Sequence, residues 1–151
     1  GSIISNYEHA FEVMPVLVSF IPMLMDTGGN CGSQSSTLII SGLAIDEIKF
    51  SDFFKVVFKE FRISIVVGIM LGIANGIRIV LLNHDVYLAF VVSASIVVTV
   101  MISKFVGCVL PIVAKRLKMD PAIMAAPLIT TIVDTLAIMV YFSIASQIFN
   151  L

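Results

Sequence analysis

Long apolar runs separated by short polar interruptions dominate the chain, and their lengths suit helices that cross a membrane rather than helices of a soluble core. The first run, residues 13–25, gives way to Asp26-Thr-Gly-Gly-Asn-Cys-Gly-Ser-Gln-Ser-Ser36 and then resumes as far as Ala44. Taken as helix from Glu12 to Ala44 it would extend roughly 50 Å, against about 30 Å of hydrocarbon. The pattern predicts one long first helix, broken at Gly28-Gly29 and loosened earlier by Pro15 and Pro22. Loosened backbone is tolerated at membrane depth only inside protein or beside a watery cavity. The interruption is therefore expected to face a polar path.

Residues 45–62 differ in kind. Asp46, Glu47, Lys49, Asp52, Lys55, Lys59, Glu60 and Arg62 alternate with Phe50, Phe53, Phe54, Phe58 and Phe61. This predicts an amphipathic linker at the membrane surface, with Ser51 capping a helix that continues into the next span and the phenylalanines acting as anchors. A second span covers residues 63–82, where Gly68, Gly72 and Gly76 recur every fourth position and open a smooth face for a neighbouring helix. Residues 88–114 make a third span, in which Lys104 stands out as a charge deep in apolar sequence. After the basic turn 115–118, Asp120-Pro121 marks a new helix start, and residues 122–149 form the last span. The reading is an all-α integral membrane protein: four transmembrane helices in one domain covering residues 1–151.

Composition strengthens this picture. The chain is 59% hydrophobic and only 13% charged, about half the usual share of charged residues in a soluble domain. Its nine Lys and Arg form no single basic cluster and are balanced by ten Asp and Glu, which speaks against nucleic acid as a partner. Lysines and arginines concentrate in the 45–62 linker and the 115–118 turn, which places both on the cytoplasmic side. The first and last spans are then antiparallel. Tyr7, Tyr87 and Tyr141 fall near expected helix ends. No signal-peptide pattern opens the sequence, and Gly1-Ser2 reads as a remnant of expression, with natural sequence expected upstream.

Several groups bear on chemistry. Asp134 lies about 20 Å along the last helix from Pro121, near the bilayer midplane, where a carboxylate is costly and marks an ion path or a buried pair. Pro127, Thr130 and Thr131 place further oxygens one to two turns away. Oxygen donors without His or thiolate suit a hard cation. Asp26 is a second intramembrane acid, beside Asn30, Ser33 and Gln34. An ion pair of Lys104 with either acid is the structural competitor. His84 beside Asp85 has the makings of a weak metal ligand, but a solvated loop pair is far commoner. Cys31 and Cys108 show no ligand spacing and read as reduced, buried thiols.

These residues resemble a known family. Pro22-Met-Leu-Met-Asp-Thr-Gly-Gly-Asn-Cys-Gly-Ser-Gln-Ser-Ser-Thr-Leu-Ile-Ile40, followed by Gly42-Leu-Ala-Ile-Asp-Glu-Ile48, is similar to the second transmembrane helix of MgtE-type magnesium channels. Asp120-Pro-Ala-Ile-Met-Ala-Ala-Pro-Leu-Ile-Thr-Thr-Ile-Val-Asp-Thr135 is similar to their fifth. The resemblance implies a multi-pass protein of the cell membrane, the bacterial inner membrane first among them. It further implies a homodimer with a pore lined by these two helices, Mg2+ as the transported and bound ion, and Asp134 as its main carboxylate. Asp26, Gly28, Gly29, Asn30, Ser33, Gln34, Ala126, Pro127, Thr130 and Thr131 become pore-lining candidates. The sequence departs from the family at Asp26, where Gly is usual, at Ser41, where Arg is common, and at Ala126, where Asn occurs. Most of the family's first helix and its cytosolic regulatory domains have no counterpart in these residues. No enzyme is implied. The rival readings are transport of Mn2+ or Co2+, a Na+-coupled Mg2+ exchanger and a helix-packing module without transport. An intramembrane aspartyl protease using Asp26 and Asp134 is remote, because the Gly-x-Gly-Asp context is missing.

Overall fold

The computed structural model describes residues 15–45, 52–83, 85–121 and 126–149. After a helical turn at residues 15–19, four helices follow: α1 (Ile21–Ala44), α2 (Phe53–Asn83), α3 (Val86–Arg116) and α4 (Ala126–Phe149). Three of them, α2, α3 and the Pro127–Phe149 part of α4, are long and apolar enough to cross a membrane. The 24 residues of α1 would span about 36 Å, enough for a bilayer, but its middle is polar.

The long first helix is bent, and its interruption falls at Phe20 rather than at Gly28-Gly29, which lie inside regular helix. The cause is Pro22. Its nitrogen has no hydrogen to give, and its ring crowds the carbonyl one turn back. The chain answers locally: Phe20 N–H turns back to the Leu17 carbonyl, and the Tyr141 hydroxyl of α4 donates to the same oxygen at 2.7 Å. Tyr141 is consequently fully buried instead of sitting at the membrane surface.

The helix expected to continue from the linker into the second span is present. From Phe53 onward the linker is the first part of α2, a single helix of 31 residues. Residues 46–51, with Ser51, lie outside the described residues, as does His84. Asp85 caps α3 by accepting from the Leu88 N–H at 3.1 Å. The proposed helix start at Asp120-Pro121 borders residues 122–125, which are also outside the description.

Helix α3 is the centre of the bundle, packed against all three others, while α2 lies outermost against it. The glycine ladder of α2 performs the packing expected of it. A methyl group on Gly68 would come within 3.1 Å of the Val97 Cα, and one on Gly72 within 3.2 Å of the Ser93 carbonyl oxygen. Ser93 closes the contact by donating to the Gly72 carbonyl at 2.8 Å. On the other side of α3, Gly107 lies so close to Gly32 of α1 that any side chain there would overlap the Gly32 carbonyl. Both basic segments end at one end of the bundle, where Lys115 donates to the Leu43 carbonyl of α1 at 3.2 Å.

Candidate functional site

Two glycines of α1 set its register against α4. Gly28 faces Val133, and Gly32 faces Ile129 and Val133. Moving up one helix therefore means moving down the other, so the two run antiparallel. At this register Asp26 is level with Thr135, Asn30 with Thr131 and Gln34 with Pro127. Gly29 lies on Thr130 along the seam. Beyond that seam the two helices share a face that no other described helix covers. Asp26, Asn30 and Gln34 are exposed on it from α1, and Pro127, Thr131 and Thr135 from α4, with Ser33, Thr130 and Asp134 half-buried.

This face is anomalous for a surface in contact with lipid. An apolar bundle gains nothing by turning two carboxylates, two amides and several hydroxyls toward hydrocarbon. The buried side of α4 shows the contrast: Ile129, Val133, Ala137, Tyr141 and Ala145 recur every fourth residue and pack inward.

Asp134 stands at the edge of the shared face. Its Oδ1 is buried and has no hydrogen-bond partner among the described residues. The hydroxyls nearby are oriented by their own helix, Thr131 donating to the Pro127 carbonyl at 2.9 Å and Thr135 to the Thr131 carbonyl at 3.1 Å. Their oxygens remain free to accept from water, whose hydrogens a hydrated cation turns outward. Among the described residues no group of three or more His, Cys, Asp or Glu converges. One copy of the chain thus offers at most two carboxylates, Asp134 and Asp26, amid neutral oxygens. That arrangement suits a cation held through its water shell better than a stripped one.

Gly28 and Gly29 do not reach the open face; both are buried and bring α1 close to α3 and α4. Ala126 opens α4, and its side chain lies outside the described residues.

Lys104 does not pair with Asp26 or Asp134. Its Nζ is 3.5 Å from Glu60 Oε2 of α2. Ser35 of α1 completes the cluster, donating to the same Oε2 at 2.9 Å and accepting from Lys104 at 3.4 Å. All three residues are buried. The sequence reading assigned Glu60 to a surface linker and missed this role. A signal existed: Glu60, Ser64, Gly68 and Gly72 are all buried on α2, so the glycine ladder continued backwards by fours arrives at Glu60.

Comparison with known proteins bears directly on this arrangement. The sequence pattern of MgtE, described as a divalent cation transporter, matches residues 21–144, which takes in both faces of the seam and the charged cluster. The chain belongs to the MgtE family. Magnesium transporter MgtE of Bacillus subtilis is 38% identical over 146 residues, covering 97% of this chain and 32% of its own length. The proteins of the same name from Thermus thermophilus and Enterococcus faecalis are 34% and 31% identical, covering 96% and 97% of this chain and again 32% of theirs. The chain spans about a third of the length of these curated relatives. Membership in the MgtE family, with the apolar helices, makes it a multi-pass protein of the cell membrane.

Proposed function

We propose that the chain is the pore-forming part of a magnesium channel or transporter, with the path at the interface of two copies. The shared polar face of α1 and α4 carries this reading. It is a stripe of oxygens at matched depth on an otherwise apolar bundle, and a second copy laid against it would enclose a polar channel. Asp134 is the main ion-binding carboxylate. Asp26, Asn30, Ser33 and Gln34 line one wall, and Pro127, Thr130 and Thr131 line the other. The named function of the relatives supports Mg2+ as substrate.

The chemistry follows from the ion. Mg2+ gives up its waters reluctantly, so a site that accepts the hydrated ion avoids the largest cost of passage. Two Asp134 carboxylates across a dimer axis would present a charge of about -2. At roughly 4–5 Å through water and an intermediate dielectric, attraction to a divalent ion is on the order of several kcal/mol, about twice that for a monovalent one. Transport rather than catalysis is the role this fits.

The test is uptake by liposomes carrying the Asp134→Ala variant. Divalent flux is expected to vanish while the protein still folds and dimerises; normal Mg2+ uptake would remove Asp134 from the path. Competition separates the nearest rival. Binding of Mn2+ or Co2+ at Asp134 at least as tight as that of Mg2+ would mean direct coordination and another preferred ion.

A further inference from the structure

We infer that the outer face of the first turns of α2 is a binding site for an anionic phospholipid. Lys55, Lys59 and Arg62 follow one another at intervals of four and three, so they form one exposed stripe along the helix. A second stripe lies one residue ahead of it at the same spacing: Phe54, Phe58 and Phe61, with 82%, 60% and 43% of their surface exposed. Phe105 of α3 closes the groove beside these rings, which encloses about 640 Å³ and has Lys55 at its edge. A neighbouring hollow of about 390 Å³ is lined by Lys59 and Arg62 together with Ile63, Val66 and Val67. Each site pairs cations with an apolar wall.

Depth and charge identify the occupant. The apolar part of α2, residues 63–82, is about 30 Å long and fills the hydrocarbon by itself. The basic and phenylalanine stripes just before it therefore share one depth, at the boundary where lipid phosphates meet the start of the acyl chains. Glu60 sits among these cations in sequence, yet it is turned inward to Lys104 and Ser35 and does not offset the outer charge. The Arg62 guanidinium lies over the Phe58 ring at 5.1 Å, so a cation and the apolar stripe are held side by side. Helix α2 packs chiefly on α3, so this face is also remote from the α1–α4 seam. The site does not depend on how ions cross the bundle.

Lipid binding to the full chain in neutral detergent, without Mg2+, tests the inference. Added phosphatidylglycerol is expected to bind at least about tenfold more tightly than phosphatidylcholine, since each cation near the headgroups adds to the preference. The triple variant K55Q/K59Q/R62Q should lose that preference with its helical circular dichroism unchanged, and R78Q, which removes an exposed arginine from the other end of α2, should keep it. Phe58→Ala should weaken both lipids together. An equal response of the natural chain to the two lipids would overturn the inference, as would a preference that survives the triple variant. So would full displacement by millimolar inorganic phosphate, or a change of oligomeric state in the triple variant, which would make this face a protein contact. Loss of Mg2+ flux in the Asp134→Ala variant has no bearing on any of these outcomes.

Discussion

Lys104 and Asp134 are both charged groups inside apolar spans, and the fold treats them in opposite ways. Lys104 is neutralised within the chain by Glu60, with Ser35 filling the remaining gap between them. Asp134 keeps a buried oxygen with no partner among the described residues. A pair that is complete internally serves the architecture, whereas an acid left open at a surface serves something that arrives from outside. The consequence for Lys104 is measurable. Lys104→Met strands Glu60 as a buried charge and should cost about 3–5 kcal/mol, seen as a lower thermal midpoint in detergent. Glu60→Gln added to it should recover most of the loss. If the double variant is no more stable than the single one, the two groups are not the closed pair described here.

At the scale of helices, glycine acts here through absence of bulk rather than through unusual backbone. Among the described residues no glycine has a positive φ, although Lys118 in the turn after α3 does, at 61°. The expected break at Gly28-Gly29 was an inference from flexibility, and close packing overrides it, since α3 and α4 hold α1 straight through that segment. Two substitutions separate close approach from tolerance. Gly107→Ala drives a methyl group into the Gly32 backbone, which cannot yield without parting α1 from α3, and should cost about 1–3 kcal/mol in thermal stability. Gly29→Ala meets the Thr130 methyl at 3.4 Å, an ordinary contact, and should leave stability within about 0.5 kcal/mol. Equal losses in the two would contradict the packing account. The spans were legible in the sequence because runs of Val, Ile and Leu admit few other structures in so apolar a chain. The bend at Pro22 was half legible, since proline marks where a helix loses a donor but not whether a tyrosine from another helix will compensate. The role of Glu60 was hidden by its neighbours Lys59 and Arg62, which make the segment look like a solvated surface, and by a partner that lies on a different helix.

For the whole molecule, the decisive asymmetry is between its two sides. Helix α2 turns phenylalanine, valine and isoleucine outward, as lipid requires, while α1 and α4 turn acids, amides and hydroxyls outward at a shared depth. The polar composition of each stripe was readable along the chain, and so was the antiparallel course of the two spans, from the placement of the basic segments. The residue-level register was not: it depends on the close approach at Gly28 and Gly32, and no local pattern encodes a register between helices so far apart in sequence. What began as a polar interruption in the first span thus becomes one half of a polar face that it shares with the last span.

A conducting path requires that face to be wet. Cys31 and Cys108 are both buried, so an introduced thiol on the face can serve as the reporter. The measurement is the rate at which a water-soluble, positively charged methanethiosulfonate modifies Thr131→Cys in liposomes, read together with Mg2+ uptake. Rapid modification, slowed by Mg2+ and abolishing uptake, is predicted, with Met70→Cys on the lipid side of α2 far slower. Labelling of Thr131→Cys no faster than of Met70→Cys, or complete labelling with uptake intact, would contradict it.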